Sequence, residues 1–200
     1  MERGNRRCAK GASTLLFPSD YVVIDIETTG LSPYSDAIIE LSALRVEGYS
    51  VISSFSSLVN PLFPISPFIT SLTGITNGML LSASPIEDVL PRFLDFVGLS
   101  HVVGHNVNFD INFIYDNSVR LSGKPFSNDF TDTMRLSRAV LGSLPHHRLS
   151  DLSAHYGVSY EGAHRALQDC RITHECFLRL RDDITSDYGS IEKFQASGRR

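Results

Sequence analysis

The amino-acid sequence predicts an α/β fold in which helices flank a mixed central sheet. Three runs rich in apolar and β-branched residues occupy the first third of the chain. Short polar or glycine turns separate these runs, which indicates adjacent antiparallel strands. Beyond them the apolar residues recur with the period of helices, and one or two further short strands interrupt that pattern. This order of elements, within 200 residues that suit one domain, is typical of α/β proteins.

The strand predictions rest on composition and on the residues that interrupt each run. The first run is apolar, begins after Pro18-Ser19-Asp20 and stops at the turn sequence Thr28-Thr29-Gly30. Asn60-Pro61 ends the third run, because proline has no N–H to donate to a sheet. The predicted strands cover 21–27, 37–46, 51–59 and 101–105.

The helix predictions rest on amphipathic periodicity and on the residues at helix ends. Pro85 suits a first helical turn, whereas Pro91 lies inside the same pattern and should kink or split the helix. Gly157 is expected to end a short helix. The predicted helices cover 85–97, 109–121, 131–141, 149–156, and 163 to about 181.

The two ends of the chain differ from its middle. Residues 1–18 are interpreted as a tail or lead-in strand, residues 19–182 as the folded domain, and residues 183–200 as a short polar segment. The first segment is basic and could touch phosphate, although a solvated tail is the favoured interpretation. Its basic side chains are Arg3, Arg6, Arg7 and Lys10.

Charge and cysteine content exclude some classes of protein. The net charge of −4 argues against a sequence-tolerant DNA coat protein, but a nuclease whose carboxylates hold cations remains open. Three cysteines form no disulfide framework and fit a reducing cytoplasm. Cys170 and His174 share a helix face, yet structural zinc needs four ligands, so we expect them and Cys176 to serve packing. No apolar run approaches the roughly 18 residues of a membrane span.

Asp25 and Glu27 lie two positions apart on the otherwise apolar first strand, so their side chains share one face. Two such carboxylates repel each other and lose hydration. No lysine or arginine occurs from residue 11 to residue 44, so a divalent cation is the simplest partner. The alternative is a strand end at which both acids reach solvent.

Asp110, His164 and Asp169 are further candidates. Asp110 opens a predicted helix, where an aspartate is often an ordinary cap. His164 and Asp169 would point roughly 140° apart on a regular helix. They can serve one site, as a general base and a carboxylate ligand, only if His164 lies at a frayed helix start or in the preceding loop. Otherwise they are a solvated pair on an exposed helix. The sequence has no glycine-rich phosphate loop, and His146-His147 is interpreted as loop.

Three motifs, in order, resemble those of the DEDD exonucleases, in the His-bearing, DnaQ-like group. The segment Leu72-Thr73-Gly74-Ile75-Thr76 also resembles one that this family carries after its third strand. The resemblance covers about residues 19–180 and marks residues 19–182 as an exonuclease domain. The motifs are Val23-Ile24-Asp25-Ile26-Glu27-Thr28-Thr29-Gly30-Leu31, Gly104-His105-Asn106-Val107-Asn108-Phe109-Asp110 and His164-Arg165-Ala166-Leu167-Gln168-Asp169.

The resemblance implies an RNase H-like fold and a metal-dependent 3′→5′ exonuclease that releases nucleoside 5′-monophosphates. It implies two divalent cations, Mg²⁺ or Mn²⁺, of which Asp25, Glu27 and Asp169 hold one. Asp25 also reaches the second cation, which Asp110 supports, and His164 takes the proton of the attacking water. The residues implied near the terminal nucleotide are Thr28, Thr29, Leu31, Asn106 and Phe109.

Three functions stay open at this point. The first is a proofreading or repair enzyme that acts on a single-stranded or frayed 3′ end of DNA. The second is an enzyme that trims RNA 3′ ends, since no residue identifies a contact to the 2′-hydroxyl. The third is a non-catalytic nucleic-acid-binding or polymerase-bracing module. A DNA polymerase is a possible partner, although no clamp-binding peptide of the Gln-x-x-Leu-Phe kind occurs.

Overall fold

Six strands form one mixed sheet in the computed structural model, which describes residues 7–197. The strands are β1 (Ser13–Thr14), β2 (Tyr21–Thr28), β3 (Ile38–Glu47), β4 (Ser50–Leu58), β5 (Val102–Gly104) and β6 (Phe130–Asp132). Their order across the sheet is β1-β6-β5-β2-β3-β4. The pairs β2–β3 and β3–β4 are antiparallel, whereas β2–β5, β5–β6 and β1–β6 are parallel. The predicted mixed sheet is therefore confirmed.

Helices cover both faces of the sheet, and β2 contributes alternate side chains to each face. Ile24 packs in one core cluster with residues of the third and fourth helices, and Val23 packs in another with the seventh. The helices are α1 (Pro67–Thr73), α2 (Asn77–Leu81), α3 (Ile86–Val97), α4 (Asn108–Ser122), α5 (Thr133–Val140), α6 (Leu149–Tyr156), α7 (Ala166–Tyr188) and α8 (Ile191–Ala196).

Two helix predictions need correction. The segment 131–141 is not one helix, because its first residues complete β6 and the Asp132 side chain then accepts a hydrogen bond from Met134 N at 2.9 Å to start α5. Pro91 does not split α3. Pro91 and Glu87, whose carbonyl lacks a helical partner, both lie on the exposed side, where water can bind that carbonyl.

Short helices α1 and α2 were not predicted, because neither is long enough to show a clear amphipathic period. Both depend on local capping. Ser66 caps α1 by accepting from Ile69 N at 3.3 Å, and Gly74 ends it at a φ of 71°. Thr76 caps α2 by accepting from Met79 N at 3.2 Å. These side chains were visible in the sequence as turn residues.

The chain before β2 is held against the domain. Arg7 forms a two-bond ion pair with Asp116, at 2.8 and 2.6 Å, and Lys10 Nζ donates to Asn112 Oδ1 at 3.2 Å. Because β1 also pairs with β6, the solvated-tail interpretation is wrong for residues 7–14, and the lead-in strand is observed. Arg3 and Arg6 lie outside the described residues.

The last long helix continues beyond its predicted end near residue 181. It reaches Tyr188, so the expected boundary after residue 182 falls within α7. Ile184 is fully buried in that extension, and Phe194 of α8 packs against Tyr188 with ring centroids 5.2 Å apart. Apolar burial thus extends into the segment that its composition marked as polar.

Phe177 is expected to be a major stabilising residue of the α7 face. It is fully buried, stacks on Phe17 at 4.8 Å and meets Tyr21 edge-on at 5.1 Å. Phe177→Ala should therefore lower the free energy of unfolding by about 3–5 kcal/mol, measured by urea denaturation. Phe68→Ala is the matched control, because Phe68 is 72% exposed. Equal losses in the two variants would contradict this packing.

Candidate active site

The centre of the candidate site is a group of three carboxylates. Asp25 and Glu27 project from β2 toward the side covered by α7, and Asp169 lies in the first turn of that helix. One oxygen of each residue lies within 4.8 Å of the others. In residues 7–197, no other group of three or more His, Cys, Asp or Glu side chains meets this criterion. The structure therefore brings together three of the five predicted catalytic residues.

Asp110 lies near this group but is not among the three residues whose oxygens lie within 4.8 Å of one another. It is buried at the start of α4, and its Oδ1 accepts a hydrogen bond from Ile26 N at 3.0 Å. Burial raises the pKa of Asp110 well above the ordinary value. Hydrogen bonds from backbone N–H groups, including that of Ile26, lower this pKa but do not cancel the rise. The negative charge of Asp110 in turn raises the pKa of Asp25. Asp110 thus both fixes the β2 backbone and adds charge to the site.

The pKa values of all three central carboxyl groups are raised when no cation is present. Burial, followed by the charges of Asp110 and Asp169, raises the pKa of Asp25 well above its usual range. Burial is also the largest cause for Glu27, whose pKa rises to about 8, and for Asp169, whose pKa rises to about 6. Within the described residues, no lysine or arginine forms an ion pair with any of these carboxylates.

His164 lies in the loop just before α7, as the angular argument required. Its backbone N–H donates to Asp169 Oδ2 at 3.0 Å, so the loop is tied to the carboxylate group. The side chain is exposed, and its ring meets Tyr160 edge-on at 6.2 Å. The φ angle of His164 is 63°, a left-handed conformation that is uncommon outside glycine. Strained residues of this kind concentrate at functional sites.

Two of the predicted nucleotide contacts have hydroxyl groups that stabilise their own loop. Thr28 Oγ1 donates to Gly30 O at 2.6 Å, and Thr29 Oγ1 accepts from Ala37 N at 2.9 Å. Leu31 comes shortly after them in the chain, and 86% of it is exposed. The loop after β2 therefore has an internally bonded base and an apolar tip.

The other two predicted contacts lie between β5 and α4. Asn106 is exposed, has a φ of 54° and donates its backbone N–H to Asp132 Oδ1 at 2.9 Å. Phe109 is half-buried and packs against Phe113 at 5.0 Å. Asp132, which the sequence analysis did not identify, thus supports this loop as well as the start of α5.

A second residue missed by the sequence analysis is Glu40. It lies on β3 directly opposite Glu27, is 1% exposed, and forms an ion pair with Arg165 at 2.9 Å. Its charge raises the pKa of Asp25, Glu27 and Asp169. The sequence did mark Glu40 as unusual, because it is a glutamate between apolar residues at the start of β3.

The residues considered for zinc instead serve packing. Cys170 and Cys176 are fully buried, and the Tyr21 hydroxyl lies 2.9 Å from His174 Nδ1. His147 lies in a loop, and its Nδ1 is 2.9 Å from Ser137 Oγ.

No helix in residues 7–197 is both long and apolar enough to cross a membrane.

A mixed sheet flanked by helices, with carboxylates gathered beside its central strand β2, is typical of RNase H-like nucleases. The model of the exonuclease family typified by RNase T matches residues 22–177, and the chain belongs to that family. It is 41% identical over 174 residues to DNA polymerase III subunit epsilon of Aquifex aeolicus, covering 87% of this chain and 86% of that protein. The DnaQ-like resemblance is therefore confirmed.

Two further comparisons concern a longer protein and solved structures. DNA polymerase III PolC-type of Caldanaerobacter subterraneus is 39% identical over 174 residues, which is 87% of this chain but 12% of that protein. Exonuclease I of E. coli, solved with a dA16 oligonucleotide, shares the fold at a TM-score of 0.71 and 20% identity, over 90% of this chain and 43% of that one. Exonuclease X, solved with 5′-overhanging duplex DNA, shares the fold at a TM-score of 0.63 and 26% identity. That match covers 88% of this chain and 97% of exonuclease X.

Proposed function

We propose that this chain is a divalent-cation-dependent 3′→5′ exonuclease that releases nucleoside 5′-monophosphates from DNA ends. The observation that carries the proposal is the group formed by Asp25, Glu27 and Asp169, whose oxygens lie within 4.8 Å. Such a group is costly without a positive partner, and none of the described lysine or arginine side chains forms an ion pair with it. The direction of attack rests on membership of the epsilon-like group.

The residues present fit a divalent cation. Asp169 Oδ1 is buried and has no hydrogen-bond partner among the described residues, as expected for an oxygen that serves as a cation ligand. Asp25, Glu27 and Asp169 would hold one ion, and Asp25 with Asp110 a second. A donor set made only of oxygens suits Mg²⁺ or Mn²⁺. When bound, such ions supply Lewis acidity and offset the charge that develops on the transferred phosphate.

The side chains of the chain itself divide the remaining work. The exposed His164 imidazole would accept the proton of the attacking water, while the backbone N–H of His164 donates to Asp169 Oδ2 at 3.0 Å. Asp110 binds the β2 backbone by accepting a hydrogen bond from Ile26 N. The exposed side chain of Leu31 would pack against the terminal base, and Thr28, Thr29, Asn106 and Phe109 would shape the pocket around that nucleotide.

DNA is the proposed substrate and a DNA polymerase the proposed partner. One relative is a DNA polymerase III subunit, and another is a PolC-type polymerase of which this chain matches a 12% segment. Exonuclease X, at 26% identity, was solved on DNA. We therefore propose proofreading or repair of a single-stranded or frayed 3′ end, in the cytoplasm with the replication proteins.

The first experiment follows single-stranded DNA labelled at either end, with Mg²⁺, with Mn²⁺ and with chelator. We expect stepwise shortening of the 5′-labelled strand, early release of labelled mononucleotide from the 3′ end, and no reaction with chelator. A matched RNA strand should react more slowly. Hydrolysis confined to RNA would contradict the DNA substrate, and binding of single strands without any hydrolysis would point to a non-catalytic module.

Cation binding should stabilise the fold more at alkaline pH than at acidic pH. The folded-state pKa values of Glu27 (about 8) and Asp169 (about 6) are raised, so the folded protein without cations binds more protons than the unfolded chain. In chelator its stability should therefore fall as pH rises from about 4 to about 8, and a cation should reverse that loss. Protons should compete with the cation at the acidic end of this range.

The measurement is the rise in Tm on adding Mg²⁺ or Mn²⁺ at about pH 5.5 and about pH 8. We expect the larger rise at the higher pH, and its loss in Glu27→Gln. Glu47→Gln is the control, because Glu47 lies at the exposed end of β3. An equal rise at both pH values would contradict cation binding by these carboxylates.

A further inference from the structure

Glu40 is a buried carboxylate that the proposed reaction does not use. It lies on β3, one strand away from the catalytic carboxylates, and its register partner is Glu27. Only 2% of its side chain is exposed. A charged group at such a position needs paired hydrogen bonds. All the partners that the structure gives it come from the chain segment immediately after His164.

Three hydrogen bonds join Glu40 to that segment. Arg165 Nε donates to Oε2 at 3.2 Å and Arg165 Nη2 donates to Oε1 at 2.9 Å, which is the two-point fork that a guanidinium makes with a carboxylate. The backbone N–H of Ala166, the first residue of α7, donates to Oε2 at 3.1 Å. Glu40 therefore acts as the acceptor at the helix start that a capping side chain would otherwise supply.

His164 lies between this anchor and the carboxylate group. Its own N–H is held by Asp169 Oδ2 at 3.0 Å, and the next residue is held by Glu40. Its φ of 63° is uncommon for a residue other than glycine, and such a conformation persists when the surrounding structure imposes it. Bonds on both sides of His164 are the constraints that can do so.

We propose that Glu40 and Arg165 are positioning residues that hold the His164 loop in the conformation needed for proton abstraction. The inference rests on the proposed function, because it acts through His164 as general base. A rival role for Arg165 is direct contact with a phosphate of the substrate, since 44% of its side chain is exposed. The fork to Glu40 favours the positioning role, because it directs the guanidinium toward β3.

The test compares kcat and KM on single-stranded DNA for Arg165→Ala, in the wild-type chain and in a His164→Ala background. In the wild-type chain kcat should fall about 10- to 100-fold with KM within about threefold, because a displaced base slows the chemical step. In the His164→Ala background the same substitution should change kcat by less than about twofold, since the two residues act as one unit. A residue with a purely structural role would not show this dependence.

Two further variants keep the test independent of folding. Arg165→Lys keeps the charge but cannot form the fork, so it should recover only part of kcat. Arg165→Ala leaves the buried charge of Glu40 unpaired, whereas Glu40→Gln removes that charge. Glu40→Gln should also lower kcat in the wild-type chain, and this loss should disappear in the His164→Ala background. Arg181→Ala is the matched control, because Arg181 lies on α7, pairs with Asp182 at 3.0 Å and should leave kcat unchanged.

The outcomes separate this proposal from the proposed function. If His164→Ala shows its full loss and Arg165→Ala multiplies that loss, the positioning role is overturned while the general base stands. A rise in KM at constant kcat would overturn it in favour of a phosphate contact. If His164→Ala itself loses less than about tenfold, the general-base assignment fails and the positioning role fails with it.

Discussion

Asp25→Ala should reduce the hydrolysis of single-stranded DNA on the order of 10³-fold or more, because it removes the carboxylate shared by both proposed cations. The loss should appear in kcat under saturating Mg²⁺ and should persist in Mn²⁺. Asp25 is surrounded by the charges of Asp110, Asp169, Glu27 and Glu40, and each raises its pKa. Its removal therefore relieves repulsion, so the Tm in chelator should not fall.

This combination distinguishes a ligand from a structural residue. A structural aspartate would lose Tm together with activity, whereas Asp25→Ala should lose activity and the cation-dependent rise in Tm alone. Asp20→Ala is a suitable control, because Asp20 is exposed just before β2 and accepts from Gly48 N at 2.8 Å. Hydrolysis at the wild-type rate in Asp25→Ala would reject the cation site.

The fold was predictable wherever one element carries its own pattern. The run from Tyr21 to Glu27 is apolar on both faces except for its two acids, and it forms a central strand. The prediction of one helix over 131–141 was wrong, because the three-residue strand β6 leads into α5 without an intervening turn. A strand that short shows no period in the sequence, and it exists because it pairs with β5 on one side and β1 on the other.

The candidate site was predictable to the extent that its residues are local in sequence. Asp25 and Glu27 follow from strand alternation, and the position of His164 before α7 follows from the geometry of one helix turn. Glu40 could not be placed beside them, because its proximity depends on the register between β2 and β3. Its partner Arg165 lies 125 residues away along the chain, and no short pattern joins them.

His164→Ala should lower kcat on the order of 10²–10⁴-fold, the usual contribution of a general base, with KM little changed. The imidazole is exposed, and only the backbone N–H of His164 bonds to Asp169, at 3.0 Å. The substitution therefore leaves that bond and the carboxylate group in place. The Tm and the cation-dependent rise in Tm should stay close to those of the wild type.

The left-handed conformation of His164 makes a second variant informative. Alanine is also disfavoured at a φ of 63°, so a loss in His164→Ala could arise from a rearranged loop. Asparagine tolerates that conformation and cannot act as the base, so His164→Asn should lose as much activity as His164→Ala. His146→Ala, at an exposed loop position, should keep the wild-type rate. Activity restored in His164→Asn would show that the backbone conformation, not the imidazole, is what the reaction needs.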